Sequence, residues 1–256
     1  NDIIKTTSGN NQKDTDFQRT ANSTSSTLTN LDNSGGEMTL AAGTVSGDGT
    51  ITTAGQPTTP AALGAGASSI TRQDGKYLVI RGGVTTTMYV YDSLADNFAT
   101  APIVANANVG VGSIVIPRQN GKYLLVHGNS VATTSLIDPM GNTPTVAGPT
   151  ATGTNGAGTN TFRRQNGQYL LIHGGAAGTS RVYNPVANTF AAGPTAASTT
   201  WAAGSLVLPR QNGTALIVTG GSSANTRLYN PFDGAASIGS FTAGPSLPTN
   251  CEINGA

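Results

Sequence analysis

The sequence predicts an all-β fold, a β-propeller built from four-stranded blades. The first observation is an internal repeat: the motif Arg-Gln-Asn/Asp-Gly occurs four times, and its arginines Arg72, Arg118, Arg164 and Arg210 are spaced by 46 residues. The second is that each copy holds four short β-favouring runs (strands a to d) separated by turn residues. Four strands in about 46 residues is the period expected of a propeller blade.

The a–b connection of each repeat is predicted to be a tight hairpin. Asp or Asn precedes a glycine at the same place in all four copies, and these dipeptides accept the positive φ that a type I′ turn requires. The four turn glycines are Gly75, Gly121, Gly167 and Gly213.

The other strands follow from the runs around this hairpin. Strand a is apolar, as in residues 113–116, and strand b is apolar on both faces, as in residues 123–126, which is typical of a strand covered by layers on both sides. A glycine pair ends strand b. Strand c ends in Tyr-Asp/Asn-Pro, as in residues 182–185, and a short strand d follows, as in residues 188–194.

This order of strands and turns resembles the kelch repeat, which also forms the central propeller of galactose-oxidase-like proteins. Glycine pairs at 82–83, 174–175 and 220–221 match the family pattern, whereas Asn129 replaces the second glycine in one copy. Phenylalanines 98, 190 and 241 stand where the family has tryptophan, and Pro144 breaks that pattern. The resemblance covers residues 66–249. It implies a propeller and leaves the function open, because kelch propellers include enzymes, lectins and protein-binding modules.

The repeat divides the chain into a polar arm, a propeller and a tail. We expect a flexible or partner-bound arm at 1–19, a degenerate blade at 20–65, four blades at 66–111, 112–157, 158–203 and 204–249, and a tail at 250–256. Five blades would use all of this material. A closed ring of four, a fragment of a longer chain, and a last blade completed by another subunit are the alternatives.

Composition limits the partners and the compartment. Only 10% of the residues are charged and the formal net charge is +1, which argues against nucleic acid or an anionic membrane surface as a partner. No stretch is apolar enough to span a membrane. The weakly charged, Gly- and Thr-rich composition and the start at Asn1 indicate a secreted or cell-surface protein with its signal removed. The single cysteine, Cys251, permits no internal disulfide.

The repeated arginines are interpreted as structural. Strand alternation places them on the same side as the c–d turns, which carry Asp or Asn. We therefore expect Arg72 to pair with Asp92, and Arg118 with Asp138, because each pair is separated by 20 residues. A ring of arginines that binds an anion is the alternative.

Four other residues are weak candidates for a binding site. They are His127, His173, Arg81 and Trp201. The two histidines and Arg81 occupy equivalent positions before the glycines, and the fourth blade has Thr219 there. No carboxylate or cysteine joins the histidines at ligand spacing, so no metal and no cofactor is predicted. Trp201 lies in a d–a loop, where its ring would either stack on a sugar or pack against the next blade.

These observations favour a protein that acts without catalysis. Our first hypothesis is a structural or assembly protein that self-associates or binds other surface proteins, with the arm 1–19 added as a strand to a neighbouring molecule. The alternative is a carbohydrate-binding propeller that uses its b–c and d–a loops. An extracellular carbohydrate-active enzyme is third. No pair of carboxylates placed for glycoside hydrolysis can be identified from the sequence.

Overall fold

A computed structural model describes residues 57–143, 145–175, 178–197, 199–233 and 238–248 in full, and the backbone of five strands before them. Within these ranges every regular element is a β-strand, and the strands form antiparallel sheets. The predicted fold class is therefore confirmed: the protein is all-β, with a fold of the β-propeller type.

The chain divides into two compact units, Asn1–Pro57 and Thr58–Ala256. In the first unit, the backbone forms a two-stranded and a three-stranded antiparallel sheet. These contain β1 (Ile3–Thr6), β2 (Thr15–Gln18), β3 (Ser25–Thr27), β4 (Gly43–Ser46) and β5 (Ile51–Thr53). The division of this unit into an arm and a degenerate blade stays a prediction.

The second unit contains four four-stranded sheets, and the strands of each lie in sequence order. The first sheet comprises β6 (Ser68–Thr71), β7 (Tyr77–Ile80), β8 (Met88–Asp92) and β9 (Asn97–Thr100). The second comprises β10 (Ile114–Pro117), β11 (Tyr123–Val126), β12 (Thr134–Ile137) and β13 (Val146–Ala147). The third comprises β14 (Asn160–Arg163), β15 (Tyr169–Ile172), β16 (Ser180–Asn184) and β17 (Thr189–Ala192). The fourth comprises β18 (Leu206–Pro209), β19 (Ala215–Val218), β20 (Thr226–Asn230) and β21 (Ser240–Ala243).

The a–b hairpins are confirmed, but the predicted turn type is wrong. In the first sheet the Arg72 amide donates to the Lys76 carbonyl and the Gly75 amide donates to the Arg72 carbonyl. Only the glycine has a positive φ, of 80°, whereas a type I′ turn needs two such residues. The loop therefore has three residues: a β-turn followed by a glycine bulge. The side chain of Asp74 accepts the Lys76 amide, which explains why Asp or Asn precedes the glycine.

The sheets pack face to face. Each has a front face, which packs on the next sheet, and a rear face, which packs on the previous one. At the first junction Ile70 and Leu78 on the front face meet Leu125 and Ile137 on the rear face of the second sheet. All four are at most 2% exposed. Burying each such side chain stabilises the fold by about 1.5–3 kcal/mol.

The first strands of consecutive sheets are neighbours, and small residues let their backbones approach. A methyl group added to Gly66 would collide with the backbone carbonyl of Gly110. The hydroxyl of Ser113 donates to the Gly66 carbonyl, and the hydroxyl of Ser205 donates to the Gly158 carbonyl at 2.6 Å. These contacts place the a–b hairpins and c–d turns of successive sheets side by side.

Candidate functional site

The repeated arginines fasten one sheet to the next. Arg118 donates from Nε to the carbonyl of Pro185 at 3.3 Å, and Arg164 donates from Nη2 to the carbonyl of Pro231 at 2.9 Å. Both acceptors lie 67 residues further along, at the end of strand c in the following sheet. Arg164 is only 5% exposed. We call this contact the arginine clasp.

The predicted pairing of these arginines with Asp92 and Asp138 is wrong. Lysines take the two carboxylates instead: Lys76 Nζ lies 2.8 Å from Asp92, and Lys122 Nζ lies 3.4 Å from Asp138. The physical reason is register: each lysine directly follows the turn glycine at the start of strand b, which pairs with strand c. The Lys76 ammonium holds the pKa of the Asp92 carboxyl below its usual value.

The first sheet departs from the clasp because of one carboxylate. Arg72 is held by Asp74, two residues away, with Nη2 at 2.9 Å from Oδ2. This hydrogen bond lowers the pKa of Asp74. The other three copies have Asn at this position. An amide carries no charge to attract the guanidinium, so in the second and third sheets the arginine reaches across to the proline carbonyl.

His127 is buried within its own hydrogen-bond network. Its side chain is fully buried, Nδ1 lies 2.8 Å from Thr133 Oγ1, and Nε2 lies 2.6 Å from Ser135 Oγ. Ser135 in turn donates to Asn106 Oδ1. Burial lowers the pKa of His127 to about 4. The imidazole is therefore neutral at pH 7 and has no open path to a ligand.

His173 has a different partner, although it occupies the equivalent position. Its Nδ1 lies 2.9 Å from Oδ1 of Asn155, and its Nε2 faces Gly153, where an added Cβ would lie 2.6 Å from it. Burial, followed by the nearby Arg181 guanidinium, lowers the pKa of His173 to about 4. Within the described ranges, no three His, Cys, Asp or Glu side chains cluster as metal ligands would.

Trp201 and Arg81, the other two candidates, are also held by their surroundings. Trp201 is fully buried and its ring centroid lies 5.6 Å from that of Phe241. The ring thus packs against the fourth sheet, which is the second of the two alternatives that the sequence left open. Arg81 is half-buried and donates from Nε to the carbonyl of Ala62 at 3.0 Å. Any ligand-binding role for these residues stays a prediction.

A polar cleft lies between the d–a loop that enters the fourth sheet and the b–c loop of that sheet. Its volume is about 270 Å³. The polar lining consists of hydroxyl and amide side chains from Thr199, Thr200, Thr219, Ser223 and Asn225. No charged residue lines it. The candidates chosen from the sequence did not include these residues, because single Thr and Ser positions in loops carry no distinctive signal.

The cleft is braced from beneath. Arg227 donates from Nε to Thr199 Oγ1 at 2.7 Å, and the Thr219 hydroxyl donates to the Asn225 carbonyl at 3.1 Å. The backbone amide of Asn225 donates to Ser223 Oγ at 3.1 Å. The two loops are thus held in place while the side chains of Thr200 and Asn225 remain exposed. Such a site suits a small, uncharged ligand that is rich in hydroxyl groups.

The front face of the fourth sheet is open. Leu208 is 42% exposed, whereas the equivalent side chains Ile70, Ile116 and Phe162 are 2%, 0% and 6% exposed. The repeat makes this comparison direct, because all four residues occupy the same place in strand a. The difference arises because, among the described residues, no further sheet follows the fourth.

The rear face of the first sheet is open in the same way. Tyr77 is 38% exposed, whereas the equivalent Tyr123 is partly buried and Tyr169 and Ala215 are 8% and 0% exposed. Tyr77 stacks with Tyr91 at a centroid distance of 6.3 Å, and Tyr91 packs on Phe98 at 4.8 Å. An aromatic cluster therefore lies on the rear face of this sheet, which is the first sheet of the second unit.

Comparison with known proteins supports the fold. No family model matches the chain, and no curated protein sequence matches it. Among solved structures, a fungal copper-containing alcohol oxidase of the AA5 family is similar with a TM-score of 0.54 and 19% identity, over 73% of this chain and 43% of the oxidase. The protein YjhT is similar with a TM-score of 0.50 and 12% identity, over 95% of this chain and 90% of YjhT. An auxiliary nutrient-binding protein from Bacteroides ovatus has a TM-score of 0.46 and 15% identity, over 86% of this chain and 54% of that protein.

The oxidase corrects one expectation. We predicted that the chain acts without catalysis, and a copper oxidase that shares the fold overturns that exclusion. At 19% identity the likeness shows the fold alone, and the chain spans less than half of the oxidase. The described residues do not fit its copper: both histidines are buried in hydrogen-bond networks of their own, and the cysteine lies outside the described residues. Membership of the kelch family likewise stays a resemblance.

Proposed function

We propose that this chain is a structural propeller module that self-associates outside the cell. One observation carries the proposal: both ends of the sheet array expose apolar side chains at positions that are more deeply buried at the internal junctions, where only Tyr123 is partly exposed. Leu208 on the front face of the fourth sheet is 42% exposed, and Tyr77 on the rear face of the first sheet is 38% exposed. Apolar surface of this kind favours association, because burial removes it from water.

The composition supports the same function. A weakly charged chain with a net charge of +1 has little long-range repulsion to keep copies apart. The extracellular setting rests on this composition. The arm at 1–19 is a further proposed route of association. Its side chains lie outside the described residues.

Sedimentation velocity of the full chain over a wide concentration range tests the proposal. We expect the weight-average sedimentation coefficient to rise with concentration, and electron microscopy to show extended polymers. A monomer that sediments identically at all concentrations, including those at which the native material is found, would refute self-association.

The polar cleft favours a second candidate function, the binding of a neutral glycan. Its volume of about 270 Å³ and its uncharged hydroxyl and amide lining suit a single sugar residue at the end of a chain. Glycan-array binding should weaken in Thr200→Arg, which fills the cleft with a charged side chain. The matched control is Asn120→Ala, a change at an exposed a–b turn, which should bind as the intact protein does. Equal binding by both variants would exclude the cleft.

A further inference from the structure

We propose that the partner in this assembly is a second copy of the same chain, docked head to tail. The front face of the fourth sheet in one copy covers the rear face of the first sheet in the next. This inference rests on the proposed self-association and adds its partner, orientation and register. The chain itself carries both halves of the interface, as a comparison of equivalent positions shows.

The apolar side chains of the two open faces occupy the same sequence positions in the repeat as the side chains that pack together at the internal junctions. At the third junction, Phe162 and Leu170 of the front face pack with Ala215, Ile217 and Tyr229 of the next rear face. The fourth sheet presents Leu208 and Leu216 at the first two positions, and both are at least partly exposed.

The first sheet offers the complementary set. Tyr77, Val79 and Tyr91 occupy the three rear-face positions, and all are at least partly exposed. Their equivalents in the third sheet, Tyr169 and Tyr183, are at most 8% exposed. In the docked pair, Leu208 of one copy therefore packs against the Tyr77 and Tyr91 rings of the next.

The arginine clasp supplies a polar contact at the same interface. Arg210 is exposed and its side chain makes no hydrogen bond to any described residue. Counting 46 residues back from Pro139 in the second sheet, the equivalent acceptor in the first sheet is the carbonyl of Ser93. Pro139, Pro185 and Pro231 are buried, whereas Ser93 is exposed. Docking brings Arg210 of one copy to the Ser93 carbonyl of the next.

One difference makes the contact between copies weaker than the internal ones. At two internal junctions a serine hydroxyl, of Ser113 or Ser205, donates a hydrogen bond to the previous sheet. The equivalent residue in the first sheet is Ala67, which has no hydroxyl. The docked interface therefore lacks one hydrogen bond that these junctions have. A contact of this kind joins different surfaces of the two copies, so each added copy leaves one new open face and the assembly can grow.

Charge placed on one face at a time tests the docking. Leu208→Glu blocks the front face and Tyr77→Glu blocks the rear face, and each variant alone should remain monomeric at concentrations where the intact chain assembles. An equimolar mixture of the two variants should form dimers and nothing larger, because only one pair of intact faces remains. Val146→Glu is the control: this side chain is 62% exposed in the outer strand β13 of the second sheet, away from both faces, and the variant should assemble normally.

The outcomes separate the docking from the broader proposal. An intact chain that never assembles overturns both. If both face variants still assemble, self-association is supported but the docking is overturned. The copies would then meet through another surface, such as residues 1–19. A mixture that stays monomeric also overturns the docking. The last outcome concerns Leu208→Cys in a Cys251→Ser background. If its thiol resists labelling in the dilute monomer, the chain covers its own front face, and the docking is overturned as well. Circular dichroism and thermal melts confirm that each variant is folded.

Discussion

Arg164→Met should destabilise the monomer by removing one arginine clasp. The substitution deletes the 2.9 Å bond from Nη2 to the Pro231 carbonyl and leaves that carbonyl in a buried site, and it also deletes the 2.8 Å bond from Nη1 to Gln168 Oε1 within the same sheet. A hydrogen bond from a charged group contributes about 1.5–3 kcal/mol, and a buried carbonyl without a partner costs about 1–3 kcal/mol. Methionine recovers part of this through apolar packing. We therefore expect the free energy of unfolding to fall by about 2 kcal/mol, or Tm by about 4–8 °C for a domain of this size.

The fourth sheet provides a matched control. Arg210→Met removes the equivalent side chain, which is exposed and makes no such bond within the described part of the chain. Thermal and urea unfolding of both variants should be measured at a dilution where the protein is monomeric. Arg210→Met should unfold as the intact chain does. Equal destabilisation by the two substitutions, or none by either, would refute the clasp as a source of stability.

Three further predictions concern single side chains. His127 and His173 have a native pKa of about 4, below their usual 6.5, so the unfolded state binds more protons and stability should fall as the pH drops from about 6.5 to 4. Replacing both by glutamine should flatten urea-unfolding free energies over that window, and an unchanged slope would contradict this. Gly66→Ala, which meets a neighbouring backbone carbonyl, should lower Tm far more than Gly75→Ala, which meets only open space at a similar positive φ; similar losses would rule out close backbone approach. Asp74→Asn should free the Arg72 guanidinium, which now donates from Nε to Asp74, to reach the second sheet. New NOEs between the Arg72 side chain and Pro139 would show this, and their absence would contradict it.

The repeat made most of the fold predictable. A fixed spacing, a turn dipeptide and an apolar strand b suffice to place four hairpins and four sheets, because each is a local consequence of the chain. The turn type was missed because Asn-Gly is equally compatible with a type I′ turn and with a three-residue loop whose glycine alone has positive φ. Backbone hydrogen bonds, such as that from Arg72 to Lys76, distinguish the two.

Contacts between sheets could not be predicted in the same way. The Arg118–Asp138 pairing failed because a constant separation of 20 residues does not show which basic side chain lies nearest to the carboxylate. Lys122, just before strand b, is the residue that pairs with Asp138. The burial of Trp201 depended on a partner, Phe241, that lies 40 residues away. The open faces could not be predicted either, because the sequence predicts a degenerate blade at 20–65 before the first repeat. The exposure of Leu208 and Tyr77 is visible only in the structure.

Cryo-electron microscopy of the assembled full chain tests the central claim most directly, because the claim specifies which surfaces meet. The account predicts that Leu208 of one copy lies against Tyr77 of the next, with the Arg210 guanidinium within hydrogen-bond distance of the Ser93 carbonyl. Copies joined through any other surface, or a fourth sheet whose front face is covered by its own chain, would contradict it.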